Sequence, residues 1–135
     1  MARVLARSAL VLSLVLAGCG DDDPVSPQTP VLITSGTPIS GITGAEDSEK
    51  VYRISIASGA TQLLVTTRGG TGDVDLVVNR GAVPTPSTNN SCEEFGLTND
   101  ETCTVANPPA GDWYILLIGA EGYSNVTLTA TVTRP

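Results

Sequence analysis

Asp73 and Asp75 are the residues of this sequence whose type and spacing best suit chemistry that needs paired carboxylates. One residue separates them, so on a β-strand their side chains would share a face. Two carboxylates held together repel and raise one another's pKa unless a cation relieves them. Calcium, which takes about six to eight oxygen ligands, is one prediction for this pair. The alternative is structural, with both aspartates accepting backbone N–H bonds beside a glycine-rich turn.

The composition of the chain gives little support to a catalytic role. The chain contains no histidine, which excludes Ser-His-Asp and Cys-His catalysis and histidine zinc sites. A carboxylate pair could also serve as acid and base in glycoside hydrolysis. However, one Trp, three Tyr and one Phe leave few aromatic rings for a sugar platform. We therefore predict that the protein is not an enzyme.

The first residues are typical of an export signal. Arg3 and Arg7 precede an apolar run over 8–17 that is shorter than the roughly 20 residues of a spanning helix. Leu-Ala-Gly-Cys at 16–19 resembles the lipobox of bacterial lipoproteins, in which the cysteine takes the lipid. We predict a signal peptide over 1–18 and a lipid anchor on Cys19. An ordinary secreted protein is the alternative.

Two further cysteines, Cys92 and Cys103, would then lie in a compartment that permits disulfides. Pairing them would close a short loop and stabilise the fold by about 3 kcal/mol in the chain-entropy model. Two free thiols are the alternative. A catalytic thiol is disfavoured because no histidine is present to activate it.

The mature chain is strongly acidic. Without Arg3 and Arg7, the seven basic residues become five against 14 acidic ones. Such a surface repels phosphate backbones, so nucleic acid is not an expected partner. Residues 19–35 are rich in Asp, Pro, Ser and Thr, which predicts an extended, disordered tether to the membrane. Gly20, rather than Asp, follows the lipid cysteine, so in a Gram-negative cell envelope we expect the outer membrane rather than the inner one.

From residue 36 to 135 the pattern is that of strands and turns. Apolar and polar residues alternate around Tyr52–Ile56, Leu63–Val65, Val74–Val78, Cys103–Ala106 and Val126–Val132. The stretch from Trp113 to Ile118 is almost continuously apolar, which predicts a central strand covered on both faces. Short strands between Gly- and Pro-rich turns predict an all-β fold, a two-sheet antiparallel β-sandwich of jelly-roll-like type.

Four segments of this region, in order, resemble the bacterial pre-peptidase C-terminal (PPC) domain. They are Gly69-Gly70-Thr71-Gly72-Asp73-Val74-Asp75-Leu76, Cys92 with 99–103, 111–115 with Gly119, and 123–128. The first is close to the family's Gly-x-Gly-Asp-x-Asp-Leu signature, and the resemblance covers about Gly41 to Thr133. It implies a β-sandwich that is usually appended to secreted peptidases without being their catalytic part. Some relatives bind matrix polymers and calcium.

The resemblance also bears on individual residues. It implies that Cys92 pairs with Cys103, and it adds Glu46 and Asp47 as further calcium ligands, as in the calcium-binding relatives. Val77 stands where the family usually has an aromatic residue, so polymer binding through an exposed ring at that position is not implied.

Phe95 lies inside the loop that Cys92 and Cys103 would close. A short bridged loop leaves little room to bury a ring, so Phe95 is the better candidate for an exposed contact. We expect a non-catalytic envelope lipoprotein that presents a binding or accessory module for an extracellular polymer or protein. The alternative is a chaperone or tethering subunit for a separate secreted peptidase.

Overall fold

A computed structural model describes residues 28–86 and 89–135. The predicted signal peptide, Cys19 and the first part of the predicted tether lie outside these ranges. Nine β-strands make up the secondary structure of the described residues. They are β1 (Val31–Leu32), β2 (Ile39–Gly44), β3 (Glu49–Ile56), β4 (Gln62–Arg68), β5 (Val74–Arg80), β6 (Cys92–Glu94), β7 (Glu101–Ala106), β8 (Gly111–Gly119) and β9 (Tyr123–Thr133). No helix in these ranges meets the length and apolarity needed to cross a membrane.

The strands form two sheets that pack face to face. One sheet has five strands in the order β1-β3-β8-β5-β6, and the other has four in the order β2-β9-β4-β7. Neighbouring strands are antiparallel except for β1, which pairs with β3 in parallel. The predicted all-β sandwich is therefore confirmed, with one parallel pair at its edge.

Alternating side chains of β9 and β8 show why this sequence folds into two layers. Val126, Leu128 and Ala130 are fully buried between the sheets, while the threonines between them point away. Trp113 and Ile115 enter the same core from β8. Burying an aliphatic side chain of this size stabilises the fold by about 1.5–3 kcal/mol. Because successive side chains point to opposite faces of a strand, the face that carries the apolar residues turns inward.

The central strand β8 is covered on its outer face as well. Leu116 lies between Val51 of β3 and Val77 of β5 in the register of the sheet. Leu116 is 1 % exposed and Val77 is fully buried, and Tyr114 and Ile118 pack against this second apolar cluster. The prediction of a central strand covered on both faces is confirmed. Position 77 offers no exposed side chain for a ligand.

The folded part begins earlier than the sequence suggested. Val31–Leu32 pairs with β3, and Ile33 donates its N–H to the carbonyl oxygen of Arg53 and is buried in the core. The tether predicted over 19–35 therefore overlaps the folded part at residues 31–33, and the domain begins before residue 36. A two-residue strand shows no alternation, and its pairing partner is distant in sequence, so local composition could not indicate it.

A glycine turn at 69–72 carries the chain from one sheet to the other. Thr71 and Ser124 exchange two backbone hydrogen bonds of 3.0 and 2.9 Å, which hold the turn against the start of β9. Gly70 and Gly72 have φ angles of 72° and 90°. A Cβ at Gly70 would overlap the carbonyl oxygen of Ser124, and one at Gly72 would overlap that of Gly122. Only glycine allows two backbones to approach this closely.

Substitution by alanine should separate the two roles of glycine in this turn. Gly69 also has a positive φ but has open space around its Cα, so Gly69→Ala should cost only about 1–2 kcal/mol of backbone strain. Gly72→Ala adds a backbone clash and should cost at least about 3 kcal/mol or prevent folding. Chemical denaturation of the two variants measures both values. Equal losses would contradict the close packing described.

Candidate functional site

Four connections meet at one end of the sandwich. The amide of Asp47 donates to the carbonyl oxygen of Gly119, and that of Glu121 donates to the carbonyl oxygen of Asp73. The amide of Gly69 donates to the carboxylate of Asp100. These bonds join the turns that follow β2, β4, β6 and β8. We call these four turns together the acidic end, which consists of residues 45–48, 69–73, 95–100 and 120–122.

Negative charge is concentrated in and beside these connections. The acidic residues there are Glu46, Asp47, Asp73, Asp75, Glu94, Asp100, Glu101 and Glu121. The one ion pair of the described residues joins Arg53 to Asp112 at 2.9 Å, beyond the acidic end. Arg68 borders the acidic end, but it donates to the carbonyl oxygens of Thr67 and Glu101. In the part of the chain that the structure describes, the acidic end therefore carries more carboxylates than basic side chains.

Asp73 is a buried carboxylate directly after the glycine turn. It is 8 % exposed, and its Oδ1 has no hydrogen-bond partner within the described part of the chain. Burial raises the pKa of Asp73, and the carboxylate of Glu121 raises it further. Burial also raises the pKa of Asp75, with a further contribution from Asp73. The two predicted partners therefore lie close enough to repel each other.

Glu101 is a second buried carboxyl of the described residues, 5 % exposed, which sequence reasoning missed. Its Oε1 accepts the N–H of Gly96 at 2.9 Å. Burial raises the pKa of Glu101 most; the bond from Gly96 opposes this, and the carboxylates of Glu94, Asp75 and Asp73 add to the increase. A single Glu in a polar loop carries no pattern, so only the three-dimensional fold could reveal it.

Glu46 and Asp47 occupy the turn between β2 and β3. Asp47 has a φ of 59° and its N–H is used in the bond to Gly119. The groups that raise the pKa of Asp73 and Asp75 do not include these two residues. Within residues 28–86 and 89–135, no three His, Cys, Asp or Glu side chains group as a metal site. The four predicted calcium ligands therefore do not form a ready carboxylate cage.

A disulfide joins the two sheets beside the acidic end. Cys92 of β6 is bonded to Cys103 of β7, with their Cα atoms 5.8 Å apart. We call residues 95–100, which this bond closes, the bridged loop. Phe95 is 51 % exposed and Leu97, which sequence reasoning did not single out, is 90 % exposed. The bridged loop thus carries two apolar side chains into solvent.

A cleft of about 400 Å³ separates the bridged loop from the glycine turn. Its lining consists of Gly69, Gly70, Thr71, Gly72, Thr98, Asn99 and Asp100. Asn99 is 4 % exposed; its Nδ2 donates to the carbonyl oxygen of Gly69, while its Oδ1 has no partner in the described ranges. Carboxylate and amide oxygens dominate this end of the molecule. Such an arrangement can bind a cation or a cationic side chain.

The buried carboxyls should make the protein more stable in mild acid. Because the pKa values of Asp73, Asp75 and Glu101 are raised in the folded state, their protonated forms favour folding. That contribution is lost as pH rises through the folded pKa values. We expect Tm to rise as pH is lowered from 7 towards the usual Asp and Glu pKa values of 3.8 and 4.5, above which the folded-state values lie. Each kcal/mol gained corresponds to about 4–8 °C in a domain of this size.

Asp73→Asn removes one of these charges without changing shape. It should raise Tm at pH 7 and flatten the pH dependence, as followed by circular dichroism. Glu93→Gln removes the same charge from an exposed position of β6 and serves as the control. If both variants had the same Tm and the same dependence of Tm on pH, net charge alone would determine how stability changes with pH.

Comparison with known proteins agrees with this architecture. The sequence profile of the bacterial pre-peptidase C-terminal domain matches residues 48–119. Alkaline serine exoprotease A of Vibrio alginolyticus is 36 % identical over 125 residues, which are 90 % of this chain and 23 % of the exoprotease. A zinc metalloprotease of Helicobacter pylori is 34 % identical over 116 residues, 84 % of this chain and 43 % of that protein.

A solved structure shows the same fold. The solution structure of vEP C-ter 100 is 31 % identical, with a TM-score of 0.62, and the alignment covers 75 % of this chain and 98 % of that one. The chain spans less than half the length of either protease named above. What it shares with them is a domain found in proteases as a non-catalytic part. This chain belongs to the bacterial pre-peptidase C-terminal domain family.

Proposed function

We propose that this chain is a non-catalytic envelope lipoprotein that presents its PPC domain as a binding or accessory module for an extracellular polymer or protein. The observation that carries the proposal is the acidic end, where a bridged loop and a glycine turn present carboxylates and two exposed apolar side chains. The comparisons support it, since the domain is shared by a relative named as a serine exoprotease and one named as a zinc metalloprotease. A domain common to two catalytic types is not expected to carry out the chemistry of either.

The lipid anchor on Cys19 supplies the display part of this proposal. Residues 16–19 support it by their resemblance to a lipobox. Because the sandwich begins at Val31, the intervening chain can hold the domain at most a few tens of ångströms from the membrane, at about 3.3–3.6 Å per residue. Gly20 after the cysteine favours the outer membrane in a Gram-negative cell.

Cys19→Ala should release the protein from membranes without unfolding it. Lipidation requires the thiol, whereas the Cys92–Cys103 bond and the core are independent of it. Membrane fractions washed with carbonate and high salt should lose the variant, and its circular dichroism should match that of the parent domain. Gly20→Ala, which keeps the cysteine, should stay membrane-bound. Retention of Cys19→Ala in the washed membranes would refute the anchor.

A second element of the proposal is a calcium ion at the start of β5. The unpartnered, buried Oδ1 of Asp73 favours it, as does the repulsion between Asp73 and Asp75. The remaining ligands would be oxygens of other kinds, such as backbone carbonyls, because the acidic side chains do not converge. Bound calcium would neutralise the two aspartates and stabilise the acidic end.

Thermal unfolding with and without metal tests this element. A hundredfold excess of calcium over its Kd would stabilise the folded chain by about 2.7 kcal/mol and raise Tm accordingly. Asp73→Asn should abolish that increase, while Glu93→Gln should preserve it. An unchanged Tm in millimolar calcium and after chelation would remove calcium from the proposal.

The accessory role is favoured by a specific comparison. In the relatives, the matching domain is a minor part of a protease chain, 23 % of the exoprotease and 43 % of the metalloprotease. A separate, membrane-held copy could serve such a peptidase as a chaperone or tethering subunit. An accessory role requires a protein partner, whereas polymer binding does not. The kind of ligand that the acidic end binds therefore distinguishes the two roles.

A further inference from the structure

We propose that the acidic end binds a peptide segment of a partner protein in which a cationic side chain stands next to an apolar one. The cationic group would enter the cleft between the glycine turn and the bridged loop, and the apolar group would pack on Phe95 and Leu97. The inference rests on the proposed binding function and adds the chemistry of its partner. Protein, rather than an anionic polymer or lipid, is then the ligand.

The bridged loop is held in place before any ligand arrives. The Cys92–Cys103 bond closes its base. Gly96 donates to Glu101 at 2.9 Å, and Gly69 donates to the Oδ1 of Asp100 at 2.9 Å. A surface fixed in this way loses little conformational entropy on binding, so weak contacts can still give measurable affinity.

The apolar part of the surface consists of Phe95 and Leu97. They stand two residues apart in a loop and are 51 % and 90 % exposed, respectively. Neither belongs to the core clusters. Exposed apolar side chains on a rigid loop gain free energy when a partner covers them, at about 25 cal/mol per Å² removed from water. They therefore favour a ligand that has an apolar side chain of its own.

One buried acceptor in the polar part of the surface has no donor among the described residues. The Oδ1 of Asn99 is buried without a partner in the described ranges, although its Nδ2 is bonded to Gly69. Asp100, on the same cleft, contributes a carboxylate. A buried acceptor without a donor is costly, and a guanidinium or ammonium group supplies several donors at once. Glycines along one wall leave room for such a group.

The surrounding charge selects the same ligand. Asp100 is the charged residue of the cleft lining, and Asp73 and Glu101 directly follow its two walls in the sequence. Arg68 borders the cleft and donates to the carbonyl oxygens of Thr67 and Glu101. An excess of negative charge beside a cleft concentrates cations there. A metal ion alone would satisfy the carboxylates but would leave Phe95 and Leu97 uncovered. A basic and apolar peptide satisfies both.

Nuclear magnetic resonance titration of the isotope-labelled full chain carrying Cys19→Ala tests the inference. The probe is the peptide acetyl-Gly-Arg-Leu-Arg-Leu-Gly-amide, and the matched control peptide carries Glu in place of Arg. EDTA is present throughout, so that no metal mediates binding. We expect the Arg peptide to shift amide signals of residues 69–72 and 95–100, with affinity that falls as salt is raised. The Glu peptide should cause no such shifts.

Two variants define the contribution of each part of the surface. Leu97→Ser should weaken binding at least about fivefold, as expected for a central apolar contact. Asp100→Asn, which keeps an oxygen to accept the N–H of Gly69, should weaken it and reduce the salt dependence. Val83→Ser removes a side chain that is exposed outside the acidic end and should leave affinity unchanged.

The outcomes separate this inference from the proposed function. Equal binding of both peptides, shifts confined to another face, or no binding at millimolar peptide would each overturn the inference. None of these results bears on display at the envelope. A different result, membrane attachment that survives Cys19→Ala, would contradict the proposed function.

Discussion

The rest of the acidic end depends on a close contact between two backbones, that of the glycine turn and that of residues 122–125. The two backbones belong to connections that cross between the sheets, the glycine turn after β4 and the turn after β8. Gly70 and Gly72 lack the side-chain atoms that would separate them, and the Thr71–Ser124 bridge holds them together. This contact sets the position of Asp73 at the start of β5. It also places Gly69 where Asn99 and Asp100 of the bridged loop bind it.

Negative charge at the acidic end destabilises the folded state at neutral pH. Asp73 and Glu101 are buried carboxyls whose pKa values are raised by burial and by neighbouring carboxylates, which opposes folding at neutral pH. The disulfide and the apolar core offset that cost, since they join the sheets directly beside the charges. Carboxyls whose pKa values are shifted by burial and by like charges cluster at functional sites, which favours a binding role for this end.

The sequence allowed most of the architecture to be predicted, and the limits have physical causes. Period-two alternation identified β3, β4, β5, β7 and β9, because burial of one strand face determines it. It missed β1 and β6, which are too short to show a period, and β2, whose pairing with β9 is interrupted by register shifts. At the site, spacing alone identified Asp73 and Asp75, but Glu101 and Leu97 became visible only once folding brought the loops together. Glu46 and Asp47 rested on the resemblance to calcium-binding relatives, and the structure does not gather them with Asp73 into one set of ligands.

Amide hydrogen exchange tests most directly whether the acidic end is a rigid, preformed surface. The amides of Gly69, Thr71, Gly96 and Ser124 are each bonded to a carbonyl or carboxylate oxygen across the connections. They should exchange as slowly as amides of the central strand β8, with opening free energies near that of global unfolding. Exchange at the rate of an unstructured loop, while β8 remains protected, would contradict this account.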